Sequence, residues 1–368
     1  MIKDLVRLSG LFRILFLYDV AEAIDLERVR SLLGSRCRPS EQPFLRRTPQ
    51  YVRLEHTPIV EPSEPLTIRA EGRATCSVKY YAFGVVAVRV EVPFDGEWQN
   101  LLPENSRWMD ASDVGKEVRE IAQRHLEQVA PAVIRPTKDW LQETYLVTEI
   151  HEIQDERGEQ PTAAELLASH GGEIVQLVRG EIIPVSPTAR EETLQGSLSY
   201  FPRDLVVVGS YASVVYDHPE DAAAVAQILE FAKMQLLEFR YYDRLMTRML
   251  AEFYDALERK RNVLFSRWSL PREAHRFNTV RLDVMELTER IDNAIKFVSD
   301  IYYARVYRLA AKRIGVADYR TLVDEKLRTA GDLYNYMIDQ FHESRSFVLE
   351  VGVAILALID VILLFRGK

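Results

Sequence analysis

Glu350 and Asp360 stand ten positions apart inside the most apolar stretch of the chain, residues 347–365. At about 1.5 Å per residue that stretch spans roughly 28 Å as a helix, close to the hydrocarbon thickness of a bilayer. Arg345 precedes it, and Arg366 and Lys368 follow. A carboxylate in such company is tolerated when it is protonated, bonded to a neighbouring helix or turned toward water. The chemistry open to this pair is therefore assembly between helices, or the attraction of cations by rings of acids in an oligomer. Gly352, Ala354 and Ala357 are small enough for close helix approach, as helix pairing in lipid prefers.

Elsewhere the chemistry-bearing residues form no pattern. His342-Glu343 lacks the second histidine of a zinc-protease helix, and His125, His151, His170, His218 and His275 have no i,i+4 partner, so structural or surface roles are expected of them. No serine sits in a Gly-x-Ser-x-Gly elbow, and Gly171-Gly172 reads as a turn, with no phosphate-cradling loop. Cys37 and Cys76 are 39 residues apart and form no metal knuckle. No catalytic residue, metal or cofactor is expected, although an enzyme site assembled from scattered residues would leave no motif. The net charge of −8, with no basic tail, argues against nucleic acid as the main ligand. Arg259-Lys260-Arg261 fits a helix C-terminus better than a contact with acidic headgroups or RNA.

The elements that would carry these residues divide the chain of 368 at two points. Residues 1–217 read as an α/β domain, 218–345 as a long-helix stalk and 346–366 as a transmembrane helix. In the first part Arg7 and Arg13 interrupt the N-terminal apolar run before it reaches signal-peptide length. Ile14–Val20 predicts a buried strand and Ile24–Leu33 a helix stopped by Gly34. Residues 36–66 read as irregular, with an edge hairpin around Tyr51–Leu54. Ala74–Val92 is the strongest strand signal, with a kink, bulge or tight turn at Phe83-Gly84.

Residues 93–108 read as loop, Ala111–Val129 as helix and Trp140–Ile153 as strand. A helix capped by Thr162 with Glu165 three residues on comes next. Val175–Val178, Ile182–Val185 and Leu205–Val215 complete the β material. Strand, helix, connection and valine-rich strand occur in that order twice, and Ser77–Val90 resembles Ser197–Ser210, so an internal duplication is one reading.

From Pro219 to Arg261 neither glycine nor a further proline appears, and apolar residues recur at 3-4 spacing: Val225, Leu229, Ala232, Leu236 and Phe239, then Met246, Leu250, Phe253 and Leu257. Asp243 interrupts that series. The pattern predicts a coiled-coil-like helix. Two more long helices, running to Gly315 and on from Asp318, would complete an antiparallel stalk continuous with the membrane helix. The fold class expected is α+β: an α/β region, a helical stalk and one C-terminal span.

Two segments resemble the required-for-meiotic-nuclear-division family (domain of unknown function 155). Leu349-Glu350, an apolar run and Asp360-Val361 are similar to that family's membrane segment, and Tyr81-Ala-Phe-Gly-Val-Val-Ala-Val88 to its aromatic-x-aromatic-Gly turn and valine strand. Val351, Asp360 and Arg89 depart from the family's Trp, Glu and Trp. The resemblance implies a membrane-bound assembly with no catalytic residues. The function expected is a non-enzymatic, tail-anchored homo-oligomeric scaffold at the inner membrane that presents a cytoplasmic α/β domain to a protein partner. Glu350, Asp360, Gly352 and Ala357 would assemble it in the membrane; Asp243, Leu236, Phe239, Leu250 and Phe253 would do so in the stalk. The alternative is an ion-channel or transporter subunit.

Overall fold

In the computed structural model the described residues are 7–39, 57–68, 72–110, 112–154, 160–258, 277–286, 301–336, and 353, 356 and 357. The chain divides into two compact units, Met1–Tyr241 with Glu289–Tyr319, and Tyr242–Thr288 with Arg320–Lys368.

The first unit is built on strand β1 (Arg7–Ile24), whose near-continuous apolar run suits a strand covered on both faces. Helix α1 (Leu26–Leu33) follows, capped by Asp25 and stopped by Gly34. Strands β2 (Arg38–Pro39), β3 (Ile59–Ile68), β4 (Gly72–Tyr80) and β5 (Val85–Glu97) come next. Helices α2 (Trp98–Asp110) and α3 (Ser112–Gln128) lead to β6 (Val133–Gln154). Helices α4 (Ala163–Arg179) and α5 (Pro187–Leu194) precede β7 (Ser197–Leu198), β8 (Leu205–Val208) and β9 (Ala212–Tyr216). The strands form one sheet in the order β2-β3-β4-β5-β1-β6-β9-β8-β7.

Strand alternation sorts the two faces. Phe12, Ile14, Phe16 and Tyr18 share one core with Trp98, Trp108, Val118, Leu166 and Ile174 from helices α2, α3 and α4. On the opposite face Leu17, Val85 and Leu141 pack with Met234 and Leu237 of helix α6 (Pro219–Glu258). Gly84 closes the β4–β5 turn at φ 87°, and a Cβ there would lie 1.8 Å from the Ala21 carbonyl oxygen, so the aromatic-x-aromatic-Gly sequence needs its glycine.

Several expectations are corrected. Residues 98–110 are helical, not loop: Trp98, Leu101, Asn105 and Trp108 are buried at helical spacing, a pattern hidden by the interior Pro103. Gly171-Gly172 is no turn and Val175–Val178 no strand, because α4 runs through both with a kink at His170. The Arg190 guanidinium donates to the Leu167 carbonyl (3.2 Å) across that kink, in space that Gly171 leaves open. The two halves of the sheet share a neighbour order, but β5 runs antiparallel to β1 while β9 runs parallel to β6. They are therefore not two copies of one unit.

Nor is α6 a coiled-coil stalk. Ala232–Phe239 are buried on every side, including Lys233, Gln235 and Glu238, whereas a coiled coil buries a stripe. The first part of α6 and helix α7 (Ile301–Ile314) belong to the sheet unit; Phe231 and Tyr307 are in ring contact at 6.0 Å.

The transmembrane expectation is corrected as well. Among the described residues no helix is long and apolar enough to cross a membrane. Glu350 and Asp360 leave only a short apolar run between them, well under the roughly 20 residues a span needs. Of the 346–366 stretch, residues 353, 356 and 357 are described, as helical and exposed; Glu350, Gly352 and Asp360 lie outside the described residues, as does the hairpin expected at Tyr51–Leu54. The tail anchor, the inner-membrane placement and the ion-channel alternative all rested on that span.

Candidate functional site

The sheet face toward α6 carries a buried set of charges. Alternation places Arg13 of β1, Lys79 of β4, Arg89 and Glu91 of β5, and Glu143 and Glu149 of β6 on that side. Glu230 of α6 accepts from the Tyr81 hydroxyl (2.6 Å), Arg89 Nη2 (3.0 Å) and Lys79 Nζ (3.2 Å). Glu149 accepts from Arg13 Nε (2.6 Å), and Arg13 Nη1 reaches Glu91 at 2.6 Å. Glu143 pairs with Lys233 (2.7 Å) and with Arg240.

Burial alone would raise Glu230, but Lys79 and Arg89 outweigh it and hold the carboxyl down at about 2. Burial lowers Lys79 and takes Lys233 down to about 8; Lys233 lies under the rings of Tyr145 and Tyr211. Each charge in this set is met by an opposite one, which favours one seating of α6 on the sheet over its neighbours in register. Asp19 differs: burial pushes it up to about 7 with no cation opposing.

A second group lies where His125, near the end of α3, meets β3. Glu61 and Ser63, two apart on β3, share a face. His125 of α3 places Nδ1 2.8 Å from Glu61 Oε2 and Nε2 3.1 Å from Ser63 Oγ. The Tyr80 hydroxyl donates to the same Glu61 oxygen (3.0 Å), and Arg36 lies 3.7 Å from its other oxygen. Burial opposes ionisation of Glu61, yet its bonds with His125 and Tyr80 and the charge of Arg36 hold it below the usual carboxylate range.

Two clefts of about 310 and 350 Å³ open at the β8–β9 turn and share Met109 and Tyr211. Of their charged lining, Glu143 pairs with Arg240, and Arg313 donates to the Glu192 carbonyl (3.1 Å). Among the described residues no group of His, Cys, Asp and Glu could hold a metal ion. On the β7–β8 loop Tyr200 and Phe201 are exposed, with both backbone amides donating to the Asp204 carboxylate (2.6 and 2.9 Å).

Of the residues singled out for assembly, Leu236 and Phe239 are buried in the first unit and Leu250 is half-buried. Asp243 accepts from Lys326 Nζ at 2.5 Å, so it is an ion-paired position. The side chain of Phe253 lies outside the described residues, and Ala357 is exposed.

The second unit shows a feature that spacing alone did not reveal. In the helical segment 277–286, Phe277, Val280 and Val284 are buried, and Phe277 stacks on Tyr334 at 6.2 Å. Leu282 and Met285 of the same segment are 64% and 58% exposed. Leu322 and Tyr336, one stripe of the helical residues 316–336, are exposed too.

The β3–α3 group escaped detection because its histidine is 62 residues from its serine. Pro62, Glu64 and Pro65 also disguise β3 as irregular. The available signal was Glu61-x-Ser63, two polar residues two apart on one strand face.

Residues 9–222, the sheet and the first turn of α6, match the family model described as uncharacterized protein MJ0711, N-terminal domain. Uncharacterized protein MJ0711 of Methanocaldococcus jannaschii is 22% identical over 190 residues, 52% of this chain and 58% of that protein. The chain thus spans less than two thirds of that relative's length. No solved structure matches the chain.

Proposed function

We propose that this chain, which belongs to the MJ0711 N-terminal-domain family, is a homo-oligomeric scaffold that holds its sheet unit out to a protein partner. The observation that carries the reading is the helical segment 277–286, apolar on two sides: one side is buried within its own unit, and the other leaves Leu282 and Met285 in water. Large apolar side chains left exposed beside an already buried face mark a site of association. Leu322 and Tyr336 offer a like surface from the same unit, which suits the self-complementary patch of a two-fold pair. Tyr200 and Phe201 would meet the partner protein, since exposed aromatics on a pre-fixed loop lose little freedom on binding.

A distant kinship with the required-for-meiotic-nuclear-division family is part of the proposal. It is supported by Tyr81, Phe83 and Gly84 forming a turn that runs into the valine strand Val85–Val88.

The test replaces Leu282 and Met285 by glutamate and compares masses by light scattering at equal concentration. The parent is expected to elute as an oligomer and the variant as a single chain with unchanged helical circular dichroism. Equal masses for the two would refute the assignment of this face.

A further inference from the structure

We infer that Ser63, His125 and Glu61 form a nucleophilic relay and that the β3 edge carries an esterase-like acyl-transfer activity beyond the assembly role.

The geometry fixes each role. Glu61 is almost fully buried and ionised, so it only accepts; the proton at the 2.8 Å contact therefore belongs to His125 Nδ1. In the neutral imidazole Nε2 is then the lone pair, facing Ser63 Oγ at 3.1 Å, within the reach a general base needs. The Tyr80 hydroxyl and Arg36 hold Glu61 from its other sides, so the ring is oriented by a carboxylate that is itself oriented. This is the nucleophile, base and orienting acid of a triad, recognised by geometry and independent of chain order.

Ser63 is half-buried, whereas its ladder neighbour Cys76 is buried, with its thiol pushed up to about 11 by burial. The reachable and activated nucleophile is the serine. The strand also breaks register beside it: Ser63 faces Cys76 and the next paired residue, Leu66, faces Ala74. Bulges of this kind sit at sheet edges and redirect side chains. Among the described residues β3 is paired on its outer side at Ile59 and Val60, by β2, so no described strand is paired outside Ser63.

The substrate class is a small ester. Ser63 Oγ bonds to the acyl carbon as its proton passes to His125 Nε2. The ester C–O bond then breaks, and the alcohol leaves with that proton. Water attacks the acyl-serine, gives a proton to His125 and releases the acid as Ser63 takes that proton back. One ester and one water yield one acid and one alcohol, and no other reactant is needed.

The experiment treats the full chain with a fluorophosphonate probe and, separately, with p-nitrophenyl acetate, and maps the label by mass spectrometry. Labelling of Ser63 is expected, and so is ester turnover lost in Ser63→Ala. His125→Ala should lower the labelling rate about 100-fold or more, the scale of a general base. Glu61→Gln, a positioning change, should lower turnover and shift the acid limb of its pH profile to lower pH while keeping the fold, because the imidazolium loses the carboxylate that favours it. Circular dichroism of each variant separates lost chemistry from lost folding, and Ser63→Ala, at a half-buried position, carries little folding risk. A folded parent that takes no label at Ser63, a label indifferent to His125→Ala, or turnover unchanged in Ser63→Ala would each overturn the inference.

Discussion

Removing Glu230 tests how α6 is held to the sheet. In Glu230→Ala, Lys79 stays buried without its acceptor, half-buried Arg89 keeps only Glu91 at 3.9 Å, and the Tyr81 hydroxyl loses its partner. Two routes give the magnitude. Breaking a buried ion pair from one side costs about 3–5 kcal/mol. Independently, a carboxyl held at about 2 instead of 4.5 stores about 3 kcal/mol at neutral pH, at roughly 1.4 kcal/mol per unit.

The sign follows from the depressed value: the stabilisation is full above pH 4.5 and is lost as pH falls through about 2. Urea unfolding followed by near-ultraviolet circular dichroism should therefore place Glu230→Ala about 3–5 kcal/mol below the parent at pH 7. The gap should narrow toward pH 2. A companion in which Lys79, Arg89 and Glu230 all become Met should recover most of the loss, because a buried pair replaced by apolar residues of similar size is often neutral. A Glu230→Ala protein within about 1 kcal/mol of the parent would refute the claim that these charges seat the helix.

Asp19 should behave in the opposite sense. Its carboxyl is raised from 3.8 to about 7 by burial, so the folded state keeps a proton that the unfolded chain has released. Parent stability should then fall as pH rises from 4 to 7, and Asp19→Asn should remove that fall, with a gain approaching about 4 kcal/mol at pH 8 and none at pH 3. Denaturant midpoints across that range measure it. Thr162→Ala removes the capping box at the start of α4, where Glu165 N donates to Thr162 Oγ1 at 3.3 Å. A loss of about 1 kcal/mol is expected by the same assay.

Local signals were legible where local chemistry decides the structure. The Gly34 stop after α1, the Thr162 cap of α4 and the Gly84 turn were each readable from a residue and its neighbours. So was the centre of β1, Ile14–Val20, because a strand covered on both faces is continuously apolar. Misreadings fell where tertiary contacts override local preference. Pro103 sits inside α2 because Trp98 and Trp108 bury there. Gly171-Gly172 stays helical because Arg190 bonds across the kink.

The buried charges were invisible as such. Nothing in Arg13 or Glu149 alone marks two residues 136 apart as partners, and the same blindness hid His125 from Ser63. The apolar 3-4 series of α6 was real, but the polar residues between its members are buried as well. Only the sheet opposite explains why Glu230 and Lys233 belong there.

The account stands most directly on the exposed apolar side of the 277–286 helix being covered by a second chain. Light scattering coupled to size exclusion, run on the full chain over a dilution series, measures this. A mass of two or more chains at micromolar concentration, falling toward one on dilution, is the predicted result. A single-chain mass at every concentration would contradict it.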